Sequence, residues 1–162
     1  MPLSFKPIGT IHTPYKKYAP YQPVESDEKD FFVDLNEEYA EGLAALEKFR
    51  YIYLLFYLDQ VKKPLTMTVE PPWADGMQVG LFASRSPVRP NPVGLSIVRL
   101  LKIEGNRLHT SGLDVLDDTP LLDIKPYIKE LDSKEDANYG WLDDLEEREH
   151  LILHIRGIPH DY

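Results

Sequence analysis

The sequence contains no cysteine among its 162 residues. Disulfides, thiolate metal sites and cysteine nucleophiles are therefore excluded. The chain also has no apolar run long enough to span a bilayer, and its first residues lack the basic patch and apolar stretch of a signal peptide. We expect a cytoplasmic protein with one domain over residues 1–162, a length that can bury a sizeable core.

Several nucleotide and catalytic motifs are also missing. The glycines form neither GxGxxG nor GxxxxGK[ST], and no GxSxG elbow is present. A dinucleotide-binding turn, a Walker loop and a hydrolase elbow are therefore excluded. His150 and His154 have the spacing of two ligands on one helical face, but the segment between them lacks the glutamate of HExxH. Packing is favoured for both, and we expect no metal.

The charges are unevenly distributed. The formal net charge of −9 would repel a polyanion if it were evenly spread. Residues 85–107, however, hold four arginines and one lysine against one glutamate, whereas residues 130–149 hold nine acids against two bases. This distribution predicts a basic central face and an acidic C-terminal extension over residues 131–162.

Short apolar runs bounded by glycine and proline recur along the chain, which predicts a strand-rich domain. The predicted strands cover residues 8–13, 51–58, 65–70, 77–83, 94–104 and 107–115. The last two flank a hairpin turn at Gly105. Helices are predicted over 36–49 and about 139–151, and a long loop over 13–30. The fold class is mainly β, a small closed or nearly closed β-barrel with one or two flanking helices.

Two segments carry the polar residues that are candidates for a site. Residues 81–100 read LFASRSPVRPNPVGLSIVRL, in which three prolines make a stiff, non-helical loop. Its polar groups are Ser84, Arg85, Ser86, Arg89 and Asn91. Arginine binds carboxylate or phosphate through two parallel hydrogen bonds, so this loop suits an anion. The alternative is a connection between strands whose arginines are only solvated.

The second segment, residues 113–128, reads LDVLDDTPLLDIKPYI. Its four aspartates are Asp114, Asp117, Asp118 and Asp123. A divalent metal, an acid–base pair and a contact to ribose hydroxyls all remain open, although the spacing fits no EF-hand and the acids also suit a turn. Tyr127 is either a ring that stacks on a base or a core tyrosine at a strand edge.

The sequence resembles the TrmO family, also called YaeB or TsaA-like. The resemblance rests on these two segments together with IGTIHTPY at residues 8–15, Gln22-Pro23 and residues 51–56. The resemblance extends over about residues 5–130. It implies a β-barrel methyltransferase that uses S-adenosylmethionine and is a homodimer, with the cofactor near the subunit interface. The implied substrate is tRNA, methylated at N6 of N6-threonylcarbamoyladenosine 37, beside the anticodon. The family usually has glycine at Asp118 and arginine at Tyr21, so this chain departs from it there.

The resemblance also implies roles for individual residues. The residues implied to contact the cofactor are the polar groups of the proline-rich segment and Gln22. An adenosyl pocket is implied to be lined by Leu113, Asp114, Val115 and Leu116. Asp123 and the backbone near Lys125 accept the hydrogens of the target amine, and Tyr127 stacks on the base. The length is that of the short, archaeal-type form. A non-catalytic RNA- or ligand-binding barrel and, last, a metal-dependent hydrolase are the alternatives.

Overall fold

Six strands close into a β-barrel in the computed structural model, which describes residues 2–146, 148–156 and 158. The strands in chain order are β1 Gly9–His12, β2 Phe32–Leu35, β3 Tyr51–Tyr57, β4 Thr68–Val69, β5 Val79–Gly80, β6 Val93–Glu104, β7 Arg107–Thr110 and β8 Thr119–Pro126. The barrel order is β1-β2-β7-β6-β3-β8, while β4 and β5 form a separate two-stranded sheet. The predicted mainly β barrel is confirmed.

The alternation of side chains along each strand separates the core from the outer surface. On β3, Ile52, Leu54 and Phe56 are buried inside the barrel, whereas the residues between them face outward. Phe56 packs against Gly94 of β6 so closely that a Cβ atom on Gly94 would lie 2.1 Å from the ring. The glycine in this strand therefore makes room for a core aromatic side chain.

Strand β6 pairs with two neighbours in succession, because its first half lies beside β3 and its second half beside β7. The hairpin predicted at Gly105 is confirmed, with a φ of 60°. The strand predicted over 107–115 is too long, since β7 ends at Thr110. The chain leaves the sheet at Gly112, where a Cβ atom would lie 2.1 Å from the Val24 carbonyl oxygen. Leu113 and Val115 then enter the barrel core.

The helix predicted over 36–49 is wrong. Two 3₁₀ helices, Glu37–Leu43 and Leu46–Lys48, replace it, and Ala45 between them has a left-handed φ of 70°. This break lets Leu43 and Leu46 both contact the barrel core before the chain enters β3.

Short helices also follow the barrel. Helix α1 covers Lys129–Asp132, and the helix predicted near 139–151 is instead a 3₁₀ helix at Gly140–Asp144 followed by α2 at Arg148–Arg156. None of the helices in the described ranges is long and apolar enough to cross a membrane.

The pairing of the strands places several loops at one end of the barrel. Ile11 near the end of β1 lies opposite Thr119 at the start of β8, and Tyr57 at the end of β3 lies opposite Val93 at the start of β6. Four loops therefore begin or end at this rim: residues 13–31, 58–67, 81–92 and 111–118. We call residues 81–92 the proline loop and residues 111–118 the aspartate loop.

Candidate functional site

The proline loop is held in shape by its own side chains. Nη1 of Arg89 donates to the carbonyl oxygens of Ser84 at 2.9 Å, Ser86 at 3.2 Å and Leu81 at 3.4 Å. Oγ of Ser84 donates to the Leu81 carbonyl oxygen and accepts the Ser86 backbone N–H. The Arg89 guanidinium also lies over the ring of Phe82 at 5.7 Å. Arg89 and Ser84 thus stabilise the backbone that carries the loop's other polar groups.

The structure brings the proline loop and the aspartate loop together at Arg85 and Asp114. Asp114 is partly buried, and this burial raises the pKa of its carboxyl to about 6, while the positive charge of Arg85 acts in the opposite direction. Arg85 is exposed, and no hydrogen bond from its guanidinium to the described residues is present. A cation and a poorly hydrated carboxylate therefore lie within electrostatic range of each other at the rim.

The loop of residues 13–31 contributes a third part of this region. The Tyr15 hydroxyl donates to Oδ2 of Asp27 at 3.1 Å, and burial together with this bond raises the pKa of Tyr15 to about 12. The charge of Asp114 acts on Tyr15 in the same direction, which places the two side chains near each other. Neither Tyr15 nor Asp27 is predicted from the sequence to have a role, although Tyr15 ends the IGTIHTPY motif.

The remaining residues expected to contact the cofactor lie in different surroundings. Ser86 and Gln22 are partly buried, whereas Asn91 is exposed, and its carbonyl oxygen accepts the Val93 N–H at 2.7 Å. Leu113 and Val115 direct their side chains into the barrel core. The Leu116 carbonyl oxygen accepts the Thr119 hydroxyl at 2.6 Å. In the aspartate loop, the carboxyl of Asp114 is affected by the charge of Arg85 in the proline loop.

Of the three residues expected to act on the substrate, Asp123 and Lys125 lie on the outer face of β8, and Tyr127 follows directly after that strand. Oδ2 of Asp123 and Nζ of Lys125 are 2.9 Å apart. The Tyr127 ring contacts the rings of Tyr53 at 5.6 Å and Tyr51 at 6.3 Å. Among the described residues, no hydrogen bond, ion pair or ring contact joins these three residues to Arg85 or Asp114. β8 begins at the rim with Thr119 and ends at Pro126, so Tyr127 follows the far end of the strand. Arg85 and Asp114 lie in the rim loops, so one chain separates the two parts of the expected site.

An exposed apolar stripe borders the outer face of β8. It consists of Val93, Leu95 and Ile97 of β6 and Tyr57 of β3, with Leu95 57% and Ile97 49% exposed. Leu55, the residue opposite Leu95, is also opposite Asp123. Contiguous apolar surface of this kind commonly marks a protein interface.

A polar network surrounds Asp117 of the aspartate loop. Oδ1 of Asp117 accepts the Thr13 N–H at 3.0 Å and contacts Nδ1 of His12 at 3.1 Å, while Oδ2 pairs with Lys16. Burial opposes ionisation of Asp117, but these partners hold its pKa below the ordinary value. Ligand atoms of His12, Asp117 and Asp118 lie within 4.8 Å of one another, yet Asp117 already serves three donors. The arrangement is that of an ion-pair network.

The two departures from the family pattern have clear positions. Asp118 has a left-handed φ of 67°, so this turn requires the conformation that glycine adopts most easily. The Tyr21 ring lies 6.1 Å from that of Trp73 and 5.7 Å from that of His154 on α2. His154 is buried, and its Nε2 lies 3.1 Å from Nε2 of His150. Tyr21 is therefore part of the contact between the long loop and the C-terminal helix.

Comparison with known proteins gives consistent results. Residues 10–133 match the family described as the tRNA-methyltransferase O N-terminal domain. A probable S-adenosyl-L-methionine-binding protein of Pyrococcus abyssi is 41% identical over 143 residues, which cover 87% of this chain and 77% of that protein. A crystal structure of TrmO superposes with a TM-score of 0.72 at 37% identity, covering 86% of this chain and 64% of that one.

Relatives that are named for an activity are longer. The mouse tRNA (adenine(37)-N6)-methyltransferase is 40% identical over 103 residues, which cover 60% of this chain but only 23% of the mouse protein. The chain therefore matches less than a quarter of that enzyme.

Proposed function

This chain belongs to the family of the tRNA-methyltransferase O N-terminal domain, and from that membership we propose that it is an S-adenosylmethionine-dependent tRNA methyltransferase. The reaction is methylation of N6 of adenine 37, the activity for which the mouse relative is named. The pair of Arg85 and Asp114 at the loop rim is the structural observation that supports this proposal most directly. A substrate of this kind agrees with the cytoplasmic location expected from the sequence.

The residues at the rim fit the charged groups of the cofactor. S-Adenosylmethionine carries a carboxylate, an ammonium group and a positively charged sulfonium. The exposed Arg85 guanidinium suits the carboxylate, because its donors can form a bidentate pair. The partly buried Asp114 carboxylate suits either positive group. Ser86, Asn91 and Gln22 supply neutral polar groups for the adenosyl part. When bound, the cofactor supplies an electrophilic methyl group.

The proposed roles of the β8 residues concern the target base. Methylation of N6 releases a proton, so the site needs an acceptor near that nitrogen. Asp123 presents a carboxylate on the outer face of β8, with Nζ of Lys125 2.9 Å from its Oδ2. Tyr127 offers an aromatic ring on which a flipped base stacks. The chain's contribution is then to orient the base and to hold the departing proton at Asp123.

The separation of the two groups within one chain supports a homodimer. We propose that the apolar stripe is covered by a second copy, which brings its rim loops toward Asp123 and Tyr127. Burial of the stripe supplies apolar area for association, and a polar border formed by Asp123 and Lys125 suits a site at its edge.

The proposed substrate is N6-threonylcarbamoyladenosine at position 37, beside the anticodon. The test is incubation of the protein with S-adenosylmethionine and tRNA, followed by mass spectrometry of the nucleosides. Two tRNA preparations are compared, one with the threonylcarbamoyl group and one without it. A methyl group on the modified nucleoside alone supports the proposal, whereas methylation of unmodified adenosine contradicts the substrate.

Variants at the rim and at the proposed base-binding residues extend this experiment. Arg85→Ala should weaken cofactor binding, while Asp123→Asn and Tyr127→Ala should keep it. Asp123→Asn should lose methyl transfer by at least about 100-fold, the usual contribution of an acid–base group. Tyr127→Ala should also lower methyl transfer, because the target base loses the ring on which it stacks. Near-normal turnover of both β8 variants would contradict their roles.

A binding protein without catalysis is the second candidate, since the Pyrococcus relative is named for binding alone. Cofactor binding without methyl transfer to either tRNA would favour it.

A further inference from the structure

Trp141 connects the C-terminal segment to the proline loop. Its Nε1 donates a hydrogen bond of 2.8 Å to the carbonyl oxygen of Ala83. Trp141 belongs to the 3₁₀ helix Gly140–Asp144, which lies outside residues 10–133 that match the family domain. The contact therefore comes from a part of the chain to which the family match assigns nothing.

The hydrogen bond to Ala83 differs from the others that hold this loop. The carbonyl oxygens of Leu81, Ser84 and Ser86 all accept from Arg89, a residue of the same loop. Among the described residues, the side-chain hydrogen bonds to backbone carbonyls of the loop thus come from within it, except that of Trp141. Ala83 precedes Arg85 by two residues, so this bond restrains the backbone from which Arg85 projects.

Trp141 is itself held in place by packing. It lies against a second apolar cluster, separate from the barrel core, whose buried members are Ala74, Leu145 and Leu151. Leu145 and Leu151 belong to the C-terminal segment, whereas Ala74 follows β4. Gly140, with a φ of 61°, makes the turn into the 3₁₀ helix. Packing against this cluster therefore fixes the position of the indole that donates to the proline loop.

From these contacts we infer that Trp141 is a positioning residue for cofactor binding, acting through the Ala83 carbonyl on the direction of Arg85. The inference rests on the proposed function, in which Arg85 binds the methionine carboxylate. Loss of the indole N–H leaves the Ala83 carbonyl without this donor and allows the loop to populate other conformations. Cofactor affinity then falls by the fraction of time that Arg85 is misplaced.

The test is Trp141→Phe, which removes the donor and keeps an aromatic ring. Trp73→Phe is the matched control, because Trp73 packs against the same cluster and its buried Nε1 has no hydrogen-bond partner among the described residues. Binding of S-adenosylmethionine to the full chain is measured by calorimetry. We expect Trp141→Phe to weaken binding about three- to tenfold, the equivalent of one neutral hydrogen bond, and Trp73→Phe to leave it unchanged.

Two further measurements separate positioning from a general loss of structure. The KM for S-adenosylmethionine should rise with Trp141→Phe, while kcat and the KM for tRNA stay near those of the wild type. Amide exchange should increase in the proline loop and stay unchanged in β3. Both variants are measured well below their melting temperatures, so that each remains folded and a loss of stability does not change the measured affinity.

Each outcome has a definite meaning. Equal affinity of Trp141→Phe and wild type overturns the inference, and so does equal weakening in both tryptophan variants. Failure of the wild type itself to bind S-adenosylmethionine overturns the proposed function instead.

Discussion

The Arg85 guanidinium lies near the partly buried Asp114 carboxylate and favours its ionised form, but burial prevails and keeps the pKa of Asp114 high. One residue comes from the proline loop and the other from the aspartate loop, 29 positions later in the chain. A carboxylate kept in poor solvation beside a cation is unfavourable for folding and suited to a positively charged ligand.

Asp114→Asn should change how stability depends on pH. The pKa of Asp114 is about 6 in the folded chain, against an ordinary value of 3.8. The protonated form therefore stabilises the fold, fully below pH 3.8, and this stabilisation is lost as the pH rises through 6. Asparagine does not ionise, so the variant should gain roughly 3 kcal/mol relative to wild type across that interval.

Urea unfolding at pH 4 and pH 7.5 measures this difference. Asp117→Asn is the contrasting variant, since the pKa of Asp117 is lowered and its removal should cost stability at neutral pH. If the free energy of unfolding depended on pH in the same way for the wild type and for Asp114→Asn, the carboxyl of Asp114 would be well solvated in the folded chain.

Arg89→Ala and Arg85→Ala should affect different properties. Arg89 donates to three loop carbonyls, so its removal should lower the free energy of unfolding of the cofactor-free protein by about 1–3 kcal/mol. Arg85→Ala should change stability by less than about 0.5 kcal/mol, as is usual for exposed side chains, yet lose cofactor affinity. Thermal unfolding and calorimetry on both variants check this. If Arg85→Ala lost stability and Arg89→Ala lost only cofactor affinity, Arg85 would be the residue that stabilises the loop and Arg89 the one that binds the cofactor.

Gly94→Ala should be destabilising because of one specific contact. The new methyl group would lie 2.1 Å from Cε2 of Phe56, which is buried in the core. Overpacking of this kind costs about 1–3 kcal/mol. The double variant Gly94→Ala with Phe56→Leu should recover part of that loss, because the smaller side chain vacates the space. A double-mutant cycle by urea unfolding measures the coupling, and strict additivity would contradict the contact as the cause.

Ile97→Glu should prevent dimer formation and methyl transfer together. A charge buried without a partner in an interface costs about 2–5 kcal/mol. Leu101→Glu is the matched control, since Leu101 is on the same strand, 59% exposed and outside the apolar stripe. Sedimentation should give monomers for the first variant and dimers for the second. A monomeric wild type with full activity would rule out a site shared between copies.

The sequence predicted the features that depend on local residue types. Gly105 between two alternating runs predicted the β6–β7 hairpin, and the three prolines predicted a non-helical loop over residues 81–92. The helix over 36–49 was wrong because helical propensity was outweighed by packing: Leu43 and Leu46 both reach the core only if Ala45 adopts a left-handed conformation.

The composition of the site was harder to predict. The family motifs contain Arg85, Arg89 and Asp114, but a sequence cannot show that Arg89 binds the backbone of its own loop while the charge of Arg85 acts on Asp114. That difference depends on the fold of the loop. Strand β2 was not predicted, because four residues at the end of a long loop give too short a pattern. Trp141 lies far from both segments in sequence, and only tertiary structure brings it to Ala83.

The ring of six strands has a consequence for how copies of this chain can assemble. Each barrel strand already has two hydrogen-bonded neighbours, so a further copy cannot extend the ring strand by strand. In the proposed dimer, contact through the apolar stripe saturates after one partner has docked about a two-fold axis. Association by this route is self-limiting, and concentrated solutions should contain discrete particles of one mass and no growing fibres.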